Sequence, residues 1–437
     1  MTNTKLDLTS LSNFKKPFVI IGAGKSGLAA GELLKKAGTP KQEIYFFDEK
    51  KQTDLKSWLD FSSLPIGTLV VSPGVPLKNP EITKLVNQGW IVTSEISLSC
   101  LFLKNEKIIG VTGSVAKSTV TTLIGLAAKQ SDTNTFIGGN IGIPFAEYVI
   151  SVLDGKPRAK WIILELSSYQ LENCFGLKLE HSVITFLTSN HLERYESVQS
   201  YYLTKCAIGN MTKGYCVINK SSKDLIGYQN SIACKVLSIN AETFQNPELL
   251  QSINLLGEHN RDNFSLAFSI CQLCGFDSNA IQKMSQYTGL NHRIEIVALH
   301  NSILFINDSK ATAMDSVLVA VKAALEKLKY NAKLHLLLGG KDKNLPWQDL
   351  QSLNAHPQIK IYFFGECGEL AKTKMNNLTG LYKKTLNDCI NLVFDSVLPN
   401  DIVLLSPGGT SLDEFKNFEE RGDYFKNKVF NFIQKNG

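Results

Sequence analysis

Short apolar runs recur along the chain. Each is followed by a cluster of Gly, Ser, Asn or Asp, and then by a segment whose apolar positions repeat at helical spacing. The pattern predicts strands at residues 17–21, 44–47, 68–71 and 90–92, with a helix over 28–37. It continues with strands at 107–111, 161–164 and 183–187, a strand-like segment leading into the turn at 138–142, and helices over 118–129, 201–208 and 264–274. In the last third, strands at 293–298, 303–306, 334–338, 360–364 and 401–405 accompany a helix over 315–327 and another that contains Phe418. Strands alternating with helices, with polar clusters at the strands' carboxyl ends, predict α/β architecture with mainly parallel, doubly wound sheets. A chain of 437 residues exceeds one ordinary domain. The pattern divides it into 1–101, 102–290 and 291–437, each expected to hold a mainly parallel sheet flanked by helices.

Composition narrows the class. Hydrophobic residues make up 43% and charged residues 20%, as in a soluble globular protein. No apolar run reaches membrane-spanning length, and the first residues lack a basic start followed by an apolar block, so no membrane segment or secretory signal is expected. A net charge of +6 with scattered lysines suits small anionic ligands better than a nucleic-acid groove. The nine cysteines form no metal-ligand framework, and Cys271 and Cys274, in an apolar helical pattern, read as buried thiols. That usage points to a reducing, cytoplasmic setting.

Three stretches carry candidate chemistry. Residues 110–122 read GVTGSVAKSTVTT: a strand, a turn containing Gly113, then Lys117-Ser118-Thr119 opening a helix. Backbone N–H groups at such a turn face an anion. Lys117 would reach terminal phosphates, and Ser118 or Thr119 would hold Mg²⁺. Ala116 stands where this loop usually has Gly, so a negative φ is expected there. Earlier, Gly22-Ala23-Gly24-Lys25-Ser26-Gly27 follows a strand, and Asp48 ends the next one, matching a dinucleotide fingerprint. Taken alone it suggests NAD, but the glycines guarantee only close backbone approach. Ser72-Pro73-Gly74 ends a third strand and either lines the same crevice or forms an ordinary turn. Finally, Glu165 ends the apolar strand at 161–164, where a carboxylate serves a nucleotide-bound Mg²⁺ or merely opens the next helix. His191 follows a neighbouring strand. Lys205 would by default be a solvated helix residue, and Asn260 and Asn263 share a helix face as caps or nucleotide readers.

With LELSSYQLE at 164–172, Asn307–Asp308–Ser309–Lys310–Ala311–Thr312 and LLSPGGTSLDEFKNFEERG at 404–422, the chain resembles the Mur ligase family over nearly its whole length. The last two stretches are most similar to the branch that adds D-glutamate to UDP-N-acetylmuramoyl-L-alanine at the expense of ATP. The resemblance implies a Rossmann-like N-terminal domain for the UDP substrate, a P-loop NTPase-like central domain for ATP and a Rossmann-like C-terminal domain for D-glutamate. Lys25, Ser26, Asp48 and Ser72, Pro73 and Gly74 would touch the UDP group, with Asn140 nearer the sugar and diphosphate. Gly113, Lys117, Ser118 and Thr119 would hold the ATP phosphates. Two Mg²⁺ ions would be held by Ser118, Glu165, His191 and Lys205, the lysine as its carbamate. Asn260, Asn263, Arg293, Asp308 and Lys310 would address the nucleotide. Thr312, Lys343, Ser411, Leu412 and Phe418 would bind D-glutamate. A cytoplasmic monomer with a part in cell-wall synthesis, cell shape and division is the corresponding expectation.

Three departures accompany the resemblance. Val115 and Ala116 replace the family's Asn-Gly in the loop, Phe186 replaces an Asn before the His, and Asn190 replaces the Asp directly before it. They leave open a nucleotide-binding relative with weakened turnover. A different ATP-dependent amide ligase, of the folylpolyglutamate synthase kind, is the other alternative.

Overall fold

The computed structural model describes residues 10–188, 194–253, 255–375 and 380–436. Its strands form three sheets. The first contains β1 (Phe18–Ile21), β2 (Ile44–Phe47), β3 (Thr68–Val71) and β4 (Ile91–Thr93), all parallel, in the order β2-β1-β3-β4. β1 and β3 read FVII and TLVV with every residue buried, as parallel strands covered on both faces require.

The second sheet holds β5 (Lys107–Thr112), β6 (Phe136–Gly139), β7 (Trp161–Glu165), β8 (His181–Ile184), β9 (Tyr215–Asn219) and β10 (Lys235–Ile239). Their order is β10-β9-β8-β5-β7-β6, again parallel. The third is built from β11 (Glu295–His300), β12 (Ile303–Asn307), β13 (Leu334–Gly339), β14 (Ile359–Phe364), β15 (Gly380–Tyr382) and β16 (Ile402–Gly408), in the order β11-β12-β16-β13-β14-β15. β11 pairs with β12 antiparallel; the remaining pairs are parallel.

The chain's internal contacts group into two compact units. Met1–Gln251 with Asp262–Ser285 carry the first two sheets, and Ser252–Arg261 with Gln286–Gly437 carry the third. The strand expected at 183–187 is displaced: β8 covers His181–Ile184, and residues 185–188 leave the sheet to serve the loop beside it. β9, β10 and β15 add to the expected strands. No described helix is long and apolar enough to cross a membrane.

Candidate active site

The carboxyl ends of β1, β2 and β3 converge on a cleft of about 580 Å³ that the second sheet completes. Lys25, Ser26, Asp48, Ser72, Pro73, Gly74 and Asn140 all line it, and so does Gln170, which sequence reasoning missed. Two of these side chains are occupied in shaping the cleft. Asp48 accepts from the Ala23 N–H at 2.8 Å and the Lys50 N–H at 2.9 Å, and these bonds hold its carboxyl below the usual range. The Ser72 hydroxyl donates to Gly22 O at 2.8 Å. Gly27 is required by packing: a Cβ there would lie 2.0 Å from Gly22 O.

Gly139, Asn140, Gly142, Pro144 and Gln170 bring the second sheet and its connections to the cleft. Glu165 is the last residue of β7 and is 2% exposed, while Ser167 caps the short helix Ser168–Leu171, so Glu165 is no first-turn acid. Its Oε1 accepts from the Asn140 amide at 2.6 Å, and its Oε2 is buried with no hydrogen-bond partner. Asn140 therefore joins the cleft to an orphaned carboxylate oxygen.

The loop after β5 leads into the helix Lys117–Ser131. Ala116 adopts φ 64°, the left-handed region, contrary to the negative φ expected for it. The loop imposes its bend on a residue with a Cβ, at a cost of about 1–2 kcal/mol. Lys117 Nζ folds back onto Gly113 O (2.9 Å) and Ser114 O (3.1 Å). Lys205, on the helix Val198–Cys206, is 1% exposed rather than solvated. Its Nζ donates to Gly113 O at 2.9 Å and lies 4.8 Å from the centre of the Tyr201 ring. Burial, helped by the Lys117 charge and opposed by Glu165, pulls its pKa down to about 6. Ser114 Oγ ties the region together: it donates to Thr188 O at 2.9 Å and accepts from Thr188 N at 3.1 Å, with the Tyr201 hydroxyl at 3.1 Å.

These residues fit a divalent cation. Glu165 Oε2 is an unsatisfied buried acceptor, and Ser118 stands half-buried in the first turn of the helix. Among the described residues no cluster of three or more His, Cys, Asp or Glu forms a protein-only cage, and Mg²⁺ commonly takes one or two carboxylates plus phosphate. His191 and Asn190 lie outside the described residues.

Residues 111–268 match a family model described as the Mur ligase middle domain. The chain is 34% identical over 450 residues to the UDP-N-acetylmuramoylalanine–D-glutamate ligase of Buchnera aphidicola subsp. Schizaphis graminum, covering 95% of this chain and 98% of that protein. The chain belongs to the Mur ligase family. A Haemophilus influenzae (strain 86-028NP) relative of the same description is 33% identical over 441 residues, covering 94% of this chain and 97% of its own. The solved structure of the MurF ligase from Thermotoga maritima in complex with ADP aligns with a TM-score of 0.59 at 13% identity, over 99% of this chain and all of that one, and shares the fold.

In the second unit of this Mur ligase, Asp308, Lys310 and Thr312 follow β12, Lys343 follows β13, and Ser411 and Leu412 follow β16. Asp308 is buried, accepting from Ser406 Oγ at 2.8 Å and Ile294 N at 3.2 Å, and burial pushes its carboxyl up to about 7. Lys310 Nζ stands 5.5 Å from the Phe418 ring centre. Thr312, Lys343 and Leu412 are exposed, Ser411 is buried, and Arg293 is half-buried. Asn260, of the second unit, and Asn263, of the first, are both buried on the helix Glu258–Cys274. Two arginines escaped sequence reasoning, because a lone Arg carries no pattern. Arg421 is fully buried and donates to Ser309 Oγ (3.0 Å), Ser309 O (2.9 Å) and Gly409 O (3.2 Å), binding the loops after β12 and β16 to each other. In the first unit, Arg194 donates to Pro73 O at 2.9 Å and to Glu172 Oε2 at 2.7 Å. Cys271 is buried and Cys274 half-buried, with both thiols pushed up by burial, in keeping with packing roles.

Proposed function

We propose that this Mur ligase joins D-glutamate to UDP-N-acetylmuramoyl-L-alanine, using ATP to activate the substrate's terminal carboxylate as an acyl phosphate. The observation that carries the reading is Asn140, which lines the nucleotide-sized cleft and hydrogen-bonds Glu165 beside the phosphate loop. A substrate lying in the cleft would present its far end to the phosphoryl site. The names of the relatives supply the two substrates.

A free carboxylate is a poor electrophile toward an amine. Transfer of the γ-phosphoryl group to one carboxylate oxygen gives a mixed anhydride and ADP. The D-glutamate amine then attacks the carbonyl carbon, the C–O bond to phosphate breaks, and an amide remains with inorganic phosphate. The loop N–H groups would cradle the phosphates, and Lys117 would leave its two carbonyl partners to neutralise developing charge. Glu165 and Ser118 would hold Mg²⁺, whose charge would help neutralise the phosphates.

With a pKa near 6, the Lys205 amine is neutral at neutral pH and nucleophilic. It would add to CO₂, release a proton and become a carbamate, an anion in place of a cation beside Lys117. Asp48, Ser72 and the glycine turn would hold the UDP end, and Lys25 and Ser26, which line the same cleft, would touch it. Arg293, Asp308 and Lys310 would address the nucleotide, and Thr312, Lys343, Ser411, Leu412 and Phe418 the acceptor amino acid, with Lys343 as a carboxylate partner.

Substrate carrying ¹⁸O in its terminal carboxylate tests the anhydride. One labelled oxygen should appear in the released phosphate; unlabelled phosphate would overturn the acyl-phosphate step.

A further inference from the structure

We propose that Thr185 is a positioning residue for the phosphate loop, its buried hydroxyl fixing the peptide between Val115 and Ala116. The inference rests on the reading that this loop binds ATP. Thr185 follows the last residue of β8 and is fully buried. Its hydroxyl bonds Val115 O and lies 3.2 Å from Thr112 O. A threonine has one O–H to donate, and the Val115 carbonyl is the closer acceptor.

Phe186 completes the clamp. Its carbonyl accepts from the Ser114 N–H at 2.7 Å, and its backbone forms an antiparallel bridge with Val115. Residues 185 and 186 thus run beside the loop as a rigid flank. Three of the positions that depart from the family pattern, Val115, Ala116 and Phe186, fall within this one contact.

The consequence for the loop is geometric. In a trans peptide the C=O and N–H point in opposite directions. With the Val115 carbonyl turned onto Thr185, the Ala116 N–H points away from that side, and among the described residues no acceptor meets it. An unpaired N–H at the entry to the helix Lys117–Ser131 is what an anion requires. Ala116 disfavours the left-handed bend it occupies, so the bend must be held from elsewhere. Gly113 leaves room for the holder: a Cβ there would sit 2.0 Å from Thr185 Oγ1.

Calorimetric titration of the full chain with ADP in magnesium buffer, and separately with UDP-N-acetylmuramoyl-L-alanine, tests this. Thr185→Val keeps the shape and removes the donor. It should weaken ADP binding about tenfold, the loss of one hydrogen bond, without changing affinity for the UDP substrate. Thr185→Ser should bind ADP like the parent. Adding Ala116→Gly to Thr185→Val should recover most of the loss, because glycine takes the bend unaided. Equal ADP affinity in Thr185→Val, a parallel fall in both affinities, no rescue by glycine, or a Ser variant as weak as Val would each overturn the assignment. A parent chain that fails to bind ADP would refute the ATP reading instead.

Discussion

Lys117 and Lys205 converge on one carbonyl, Gly113 O, each at 2.9 Å, yet their environments differ. Lys117 is half-buried and can swing toward a phosphate. Lys205 is sealed against Tyr201, and burial selects its neutral form. Lys117→Ala should lower turnover by about a thousandfold or more, as expected for a group stabilising phosphoryl transfer, with UDP-substrate binding retained. Near-parental product formation would contradict that role. Lys205→Ala should regain part of its activity when a short carboxylic acid restores the missing anion, and a flat response to acid concentration would argue against the carbamate.

The Lys205 shift also has a stability sign. Between about pH 6 and the ordinary lysine range, the unfolded chain binds a proton that the folded chain refuses, so stability rises with pH across that window. In denaturation measured in bicarbonate-depleted buffer, the advantage of Lys205→Met over the parent should be widest near pH 6 and shrink toward pH 10. A gap independent of pH would show that the lysine is not buried neutral.

At the level of elements, strand tips were the most legible part of the sequence. Apolar runs ending in polar clusters located β1, β3, β5 and β7, and with them Ser72, Glu165 and the phosphate loop, because parallel strands bury continuous apolar segments. β10 was not legible: it reads KVLSI on a sheet edge, and its residues are half-buried or exposed. The conformation of Ala116 was misjudged because residue type predicts φ only until neighbouring strands impose it. Lys205 looked like a surface residue because helical spacing does not show which face the tertiary fold covers.

Glu95 is another such element-level surprise. It opens the helix Glu95–Cys100, accepts from Ala146 N at the start of the helix Phe145–Leu153, and is buried; desolvation raises its pKa to about 7. Its contribution to stability is present below the unfolded carboxyl pKa and is lost as pH rises through 7. Glu95→Gln should therefore gain on the parent between pH 5 and pH 8 in thermal unfolding. A difference that stays constant across that range would contradict a raised pKa.

Across the whole molecule, the three sheets present their carboxyl ends to the candidate groups, as expected for open parallel α/β sheets. Which small molecules those ends receive was not legible from periodicity or spacing; the glycine fingerprint after β1 reads equally well as NAD. The proposal of a UDP substrate there draws on the Asn140 link from the cleft to Glu165 and on family membership. The most direct test is ADP release by the purified chain with UDP-N-acetylmuramoyl-L-alanine and ATP, with and without D-glutamate, the nucleotide-sugar product being weighed by mass spectrometry. Sustained ADP release should require D-glutamate and be matched one for one by a product heavier by a glutamyl residue. Release indifferent to D-glutamate, or no such product, would contradict the account.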